Sequence, residues 1–194
     1  MKQEQLRRNI RQQRRSLQPS EQQLLSSAIC QHILHSSLYL RARRIGGYIA
    51  NDGEAGLEDI FVNTCKMYKQ WYLPILDQLH HNRLWFAPCD LDTSYNVNRY
   101  GIPEPISQSR LRRRPVNIDL ILMPLVAFDK SGNRLGMGGG FYDKTFAFLR
   151  QRKYWRRPLL LGVAYSFQQV NTLTQQEWDI PLDAIVTEQG LQYF

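Results

Sequence analysis

Between residues 123 and 143 the chain reads MPLVAFDKSGNRLGMGGGFYD: Arg134, then Gly136, Gly138, Gly139 and Gly140, then Tyr142 and Asp143. Glycine tolerates positive φ and lets another group approach the main chain closely. At the mouth of a helix the unpaired N–H groups and the dipole stabilise an anion, and phosphate is the natural guest. Arg134 can fork onto phosphate oxygens, and Asp143 in the first helical turn can hold a magnesium ion that bridges them. A Walker loop is excluded because Phe141-Tyr142 follows Gly140 where Lys-Ser/Thr is required, and a Gly-x-Gly-x-x-Gly run from Gly136 would need glycine at 141. The residues alone also leave open a plain flexible turn, with Asp143 a first-turn acid worth about 0.3–1 kcal/mol.

The elements that must carry this loop follow from periodicity. A core strand at 119–128 (DLILMPLVAF) leads into it, and FYDKTFAFLR at 141–150 leaves it as a helix with Phe141, Thr145, Phe148 and Leu149 on one face. Residues 3–17 read as a basic helix ended by Pro19. Ser20 and Gln23 form a capping-box signature for a second helix, whose inner face is Leu24, Leu25, Ala28, Ile29, His32 and Ile33. Residues 44–50 (RIGGYIA) make a short strand, NDGEAG a turn, and Leu57, Ile60, Phe61, Cys65 and Tyr68 a helix. Strands follow at 71–75, 83–87, 158–165 and 182–187, and 90–115 is a polar, proline-punctuated excursion. The alternation of strands and helices predicts a single-domain, three-layer α/β/α fold over residues 1–194 with a largely parallel sheet.

Composition narrows the partners. The chain has 194 residues, enough for one full core, and no apolar run of the length a membrane span needs. Its N-terminus lacks the apolar stretch of a secretory signal, so the expected compartment is the cytosol. Cys30, Cys65 and Cys89 are too far apart for a Cys-x-x-Cys site and read as inert thiols. His32 and His35 stand one helical turn apart, and His80 and His81 are adjacent, without the further donors a zinc site needs. The formal charge of +8 is uneven. Arg7, Arg8, Arg11, Arg14 and Arg15 cluster at the start, Arg110, Arg112, Arg113 and Arg114 in the middle, and Arg150, Arg152, Lys153, Arg156 and Arg157 later. Such runs suit an anionic partner or a solvated helix face, and no nucleic-acid motif accompanies them.

The segment MPLVAFDKSGNRLGMGGGFYDK resembles the signature of the 5-formyltetrahydrofolate cyclo-ligase family. The likeness extends through LRRNIRQQRRSL, NDGE, YLPIL, GIPEP and EWDIPLDAIVTE. It implies a cytosolic enzyme that uses ATP and Mg²⁺ to convert 5-formyltetrahydrofolate to 5,10-methenyltetrahydrofolate, with small-molecule partners and neither membrane nor nucleic acid. On that likeness ATP is bound by Gln3, Arg7, Arg134, Leu135, Gly136, Met137, Gly138, Gly139, Gly140, Phe141 and Tyr142. Arg134 and Tyr142 are the catalytic candidates, and Asp143 and Asp179 bind magnesium, with Asp183 a possible substitute for Asp179. Glu54 grips the pterin, and Ile49, Tyr72 and Pro74 line its pocket. The chemistry implied is phosphorylation of the formyl oxygen, attack by N10 and loss of phosphate, with no protein nucleophile. Gln3 stands where the family carries a lysine, Lys2 being one position away, and Met137 and Gly139 stand where some members carry Arg and Lys. A basic nucleotide- or nucleic-acid-binding module without turnover is the alternative, and an ATP-dependent enzyme with another formylated substrate is a third reading.

Overall fold

The computed structural model describes residues 3–77, 79–80, 82–151 and 157–194. Lys2, His81, Arg152, Lys153 and Arg156 lie outside the described residues.

The chain begins with α1 (Gln3–Ser16), α2 (Pro19–Leu34) and α3 (Ser37–Arg41), then β1 (Arg44–Gly46), α4 (Glu58–Lys66), β2 (Gln70–Leu76) and β3 (Leu84–Cys89). A short ribbon of β4 (Tyr95–Val97) and β5 (Pro103–Pro105) occupies the polar excursion. Next come β6 (Leu120–Pro124), the antiparallel pair β7 (Ala127–Phe128) and β8 (Arg134–Leu135), and α5 (Phe141–Thr145). The chain ends with β9 (Leu159–Val163), β10 (Ala184–Thr187) and β11 (Gly190–Tyr193).

Seven strands form the central sheet in the order β11-β10-β9-β6-β1-β2-β3. The pairs β2/β1, β1/β6, β6/β9 and β9/β10 are parallel, and both edges, β3 on β2 and β11 on β10, are antiparallel. The parallel core is buried on both faces, as its apolar sequences require. On one face Ile29, Cys30 and Ile33 of α2, Tyr39 of α3 and Ile60 of α4 pack over Ile45, Trp71, Leu122 and Leu161. On the other, Phe146 and Leu149 pack over Ile121, Met123, Leu160 and Ile185. The chain steps from β1 to β2 on one side and later to β6 on the other. The strand order therefore reverses between β1 and β6, and it is outside the carboxyl ends of strands at such a point that open α/β sheets bind ligands.

Several local expectations change. The second helix starts with Pro19 at its first position, and Glu21, rather than the Ser20–Gln23 pair, accepts the Gln18 amide at 3.2 Å. Leu24 and His32 of that helix are exposed, because the stripe buried by the sheet is Ile29, Cys30 and Ile33. Tyr68 lies beyond the end of α4 at φ +54° and is exposed. The helix after the glycines lasts five residues before a 3-10 turn over Ala147–Gln151. Its buried residues are Thr145, Phe146 and Leu149, with Phe141 and Phe148 only partly covered.

Candidate active site

The basic first helix turns one stripe inward and leaves the rest exposed. Leu6, Ile10 and Arg14 recur at i, i+4 and i+8 and form its buried stripe. Leu6 and Ile10 pack on Val126, Ala127, Leu135 and Leu173, so α1 lies against the ribbon that follows β6. Arg11 and Arg14 donate to Asp52 at 2.7 and 2.8 Å, Arg15 also pairs with Asp52, and Arg7 Nε donates to the Gly136 carbonyl at 2.9 Å. The N-terminal arginines other than Arg8 thus hold internal partners. Gly53, at φ +74°, is a glycine of necessity: a Cβ there would stand 2.9 Å from the Arg14 carbonyl oxygen.

The turn after β1 carries Glu54. It is closed by the Glu54 amide on the Asn51 carbonyl at 3.0 Å and by the Asn51 amide on Glu54 Oε2 at 3.1 Å, and Gln22 of α2 donates to the Glu54 carbonyl at 3.0 Å. Arg14 Nη1 lies 3.7 Å from Glu54 Oε1 and donates to the Leu125 carbonyl, just past β6, at 3.2 Å. Burial pushes the Glu54 carboxyl up to about 7, although Arg14 and the Asn51 amide pull it down; Asp52 adds to the push. The folded value exceeds the ordinary carboxyl value of about 4.3. Its contribution to stability is therefore fully present below that value and is lost as pH rises through about 7. Asp52 shows the opposite balance: burial alone would raise it, but hydrogen bonds from Arg11, Arg15 and Arg14 hold it below its usual range.

The glycine loop and this turn are both touched by α1, and the charge of Glu54 reaches Tyr142 just beyond the loop. Its root is fixed by Asp129, a buried carboxylate that accepts the Ser131, Asn133 and Leu173 amides at 2.9, 3.1 and 2.9 Å. Gly138 sits at φ +99° and Gly140 caps α5 at φ +65°; a Cβ on Gly140 would meet no protein atom within 4 Å. Asn82 donates to the Gly139 carbonyl at 3.0 Å, and Tyr100 of the polar excursion meets Phe141 edge-on at 5.7 Å. Arg134 turns its side chain, only 5% exposed, onto Asp143 Oδ1 at 2.5 Å, while its buried Nε has no hydrogen-bond partner among the described residues. Asp143 Oδ1 also accepts the Ile180 amide at 3.3 Å, which brings the neighbouring Asp179 to the same end of α5. Asp143 is therefore not the solvent-facing first-turn acid of the plain-turn reading. Tyr142 stacks on Phe146 with ring centroids 6.0 Å apart. Its hydroxyl is raised above the ordinary range by burial and then by the charge of Glu54, with Arg134 opposing.

Not all the pocket residues converge. Ile49 lines an apolar cleft of about 100 Å³ whose walls include Phe61, Trp71 and Leu73. Strand residues alternate faces, so Trp71 and Leu73 look into that cleft and Tyr72 does not. Tyr72 is buried on the opposite face of the sheet, with its hydroxyl donating to Gln70 toward the start of β2. Pro74, two residues on, shares that side. Asp183 is also elsewhere: its carboxylate accepts the Leu160 amide at 2.7 Å where β9 begins. Gln3, at the start of α1, donates to the Thr174 carbonyl at 3.3 Å and accepts from Arg7 at 3.5 Å. Cys30 and Cys89 are buried and all three thiols are free; burial raises Cys30 to about 12. His32 and His35 turn to separate carbonyls, those of Glu188 and Gln31. Arg14 and Asp52 escaped the sequence reading as site residues, although the i, i+7 spacing of Arg7 and Arg14 on one helix face was visible.

Fold and site together define an α/β protein of the doubly wound kind, with its polar and charged groups gathered where the strand order reverses. The chain belongs to the 5-formyltetrahydrofolate cyclo-ligase family, whose sequence profile matches residues 1–188; it is a ligase. It is 36% identical to the 5-formyltetrahydrofolate cyclo-ligase of Haemophilus influenzae over 182 residues, covering 93% of this chain and 95% of that one. The enzyme of the same name from Escherichia coli K12 is 34% identical over 178 residues, covering 92% and 96%. Among solved structures, the 5,10-methenyltetrahydrofolate synthetase of Aquifex aeolicus superposes with a TM-score of 0.83 at 30% identity, covering 100% of this chain and 93% of that one.

Proposed function

We propose that this chain cyclises 5-formyltetrahydrofolate to 5,10-methenyltetrahydrofolate at the expense of ATP, releasing ADP and phosphate. One observation carries the reading. A single helix touches both a carboxylate suited to a pterin and a glycine loop suited to phosphates, through Arg14 at Glu54 and Arg7 at Gly136.

The formyl oxygen of an N-formyl group is a poor leaving group, so attack of N10 on the formyl carbon requires that oxygen to be phosphorylated first. The γ-phosphoryl group passes from ATP to the formyl oxygen, N10 closes on the carbon and gives up its proton to solvent, and the C–O bond breaks to release phosphate. Such a transfer asks a protein for positioning and charge compensation more than for covalent chemistry. Glu54 would hold the aminopyrimidine edge, accepting parallel N–H bonds. The main chain from Gly136 to Gly140 would line the phosphates, and Arg134, whose Nε has no partner among the described residues, would offer that donor to the moving phosphoryl group. Tyr142, with its proton held firmly, would remain a neutral donor beside it.

Magnesium takes one or two carboxylates plus substrate phosphates, so the pair at the end of α5, Asp143 with Asp179 nearby, fits it once phosphate is present. Among the described residues no group of three metal-ligating side chains exists, which agrees with a site completed by the nucleotide. When bound there, magnesium would supply positive charge to the phosphates.

The direct test is an absorbance assay for methenyltetrahydrofolate with 5-formyltetrahydrofolate, ATP and magnesium. Product that requires all three supports the reading, and no product under any cation or pH sinks it. The nucleic-acid alternative draws no support from α1, since its arginines other than Arg8 are engaged internally.

Two predictions arise here. Glu54→Gln is expected to weaken folate binding by about 1.5–3 kcal/mol, because an amide accepts only one of the two parallel bonds cleanly. ATP binding should hardly change; calorimetry with each ligand separates the two, and equal losses would make Glu54 structural. The second concerns pH. Folate is gripped by the ionised carboxylate, and the free protein holds that carboxyl at about 7. The value of kcat/KM for folate should therefore fall about tenfold per unit as pH drops below that point. A profile flat from pH 5 to 7 would remove Glu54 from that role.

A further inference from the structure

Asp52 already receives Arg11 at 2.7 Å and pairs with Arg15. A third arginine adds little to that anchor, yet Arg14 is wholly buried at its side chain, a costly place for a guanidinium. Its contacts beyond Asp52 are what distinguish it: the Leu125 carbonyl at 3.2 Å and Glu54 Oε1 at 3.7 Å. The second distance is that of an ion pair and too long for a hydrogen bond. Arg14 thus lends positive charge to Glu54 without occupying the lone pairs that a ligand's N–H groups would use. The Leu125 carbonyl, which also accepts Gln168 Nε2 at 2.9 Å, and Asp52 hold the guanidinium plane in place.

We propose that Arg14 is a positioning residue for folate: it aims the Glu54 carboxylate and keeps it charged, so that Glu54 can receive the two N–H donors of the pterin. The inference rests on the folate reading of Glu54. Among the described residues, the charged and titratable groups around Glu54 are Arg14 and Arg11 from α1, Asp52 from its own turn, Tyr48 just past β1 and Tyr142 from α5. Of these, Arg14 is the cation that pulls hardest against the burial of Glu54. Removing an opposite charge at such a distance moves a carboxyl by about one unit or more.

The experiment is steady-state kinetics from pH 5.5 to 9 on the full-length enzyme and its Arg14→Gln, Arg14→Lys and Glu54→Gln variants, with folate and ATP varied in turn. Arg14→Gln leaves Asp52 with two arginines. It is expected to raise KM for folate at least about tenfold at pH 7, to leave KM for ATP within about twofold, and to move the acid limb of kcat/KM for folate up by about one unit. Arg14→Lys keeps the charge and loses the fork, so its limb should stay near the wild-type position while KM for folate rises several-fold. Equal rises in both KM values, or a limb that stays in place in Arg14→Gln, would overturn the proposal. Should Arg14→Gln fail to fold, a folded Arg14→Lys enzyme with wild-type KM for folate would overturn it equally. Glu54→Gln separates the two levels. If it leaves KM for folate unchanged, the folate reading itself falls; if it raises KM while the Arg14 variants behave as wild type, only the role of Arg14 falls.

Discussion

Asp143→Asn is expected to lower turnover by roughly 10²–10³-fold, with folate affinity nearly unchanged and with a flattened response to magnesium. A neutral amide is a poor ligand for a hard cation, and charge moving through the γ-phosphoryl group would go uncompensated. The structure adds a second effect. Asp143 holds the guanidinium of Arg134 at 2.5 Å, and that side chain is only 5% exposed. The amide can still accept a hydrogen bond from Arg134 but no longer balances its charge, which should cost on the order of 1–3 kcal/mol of stability. Initial rates titrated with magnesium, alongside a thermal melt, check both. Superimposable titration curves for wild type and variant would remove Asp143 from the metal site and leave it as the counter-ion of Arg134.

Valine at Gly138 or Gly140 is expected to abolish nucleotide binding in a protein that still folds. Both glycines have positive φ, where a β-branched residue is strained by about 1–2 kcal/mol. The surroundings oppose neither substitution much: a Cβ at Gly140 meets no protein atom within 4 Å, and one at Gly138 meets Arg7 at 3.9 Å. The loss would therefore come from side chains standing where phosphate oxygens approach the main chain. Nucleotide calorimetry on variants with wild-type circular dichroism decides it, and a folded valine variant with unchanged ATP affinity would end the phosphate-loop reading.

Much of this protein was determined by local sequence. The runs around β1, β2, β6, β9 and β10 are short and apolar, and buried parallel strands need little else. The glycines at 136–140 mark a backbone free to take positive φ, as Gly138 and Gly140 do, and that freedom follows from residue type alone. Strand alternation was written there too, but a one-residue choice of face is invisible until the sheet has two covered sides. For that reason only the folded sheet shows that Tyr72 shares the face of Phe146 and Tyr142, whereas Trp71 and Leu73 line the cleft on the other.

Long-range pairing was decided by the tertiary structure. A run of arginines at a chain start looks like a solvated or anion-seeking face, because sequence shows charge without its partner. In the folded chain Asp52, 38 residues beyond Arg14, gathers three arginines, and this turns the basic helix inward. The same closure sets Arg14 beside Glu54 and Arg7 beside Gly136, and it ties Arg134 to Asp143 at the mouth of α5. Asp179 read as the second magnesium ligand, with Asp183, four positions on, as its substitute. Each carboxylate accepts a backbone amide, Asp183 that of Leu160 at 2.7 Å and Asp179 that of Gln176 at 2.8 Å; the fold separates them by place, since Asp183 lies where β9 starts and Asp179 adjoins Ile180, whose amide reaches Asp143. Residue types and spacing set which chemistry the chain could attempt; burial and charge pairing across distant segments set which side chains face it.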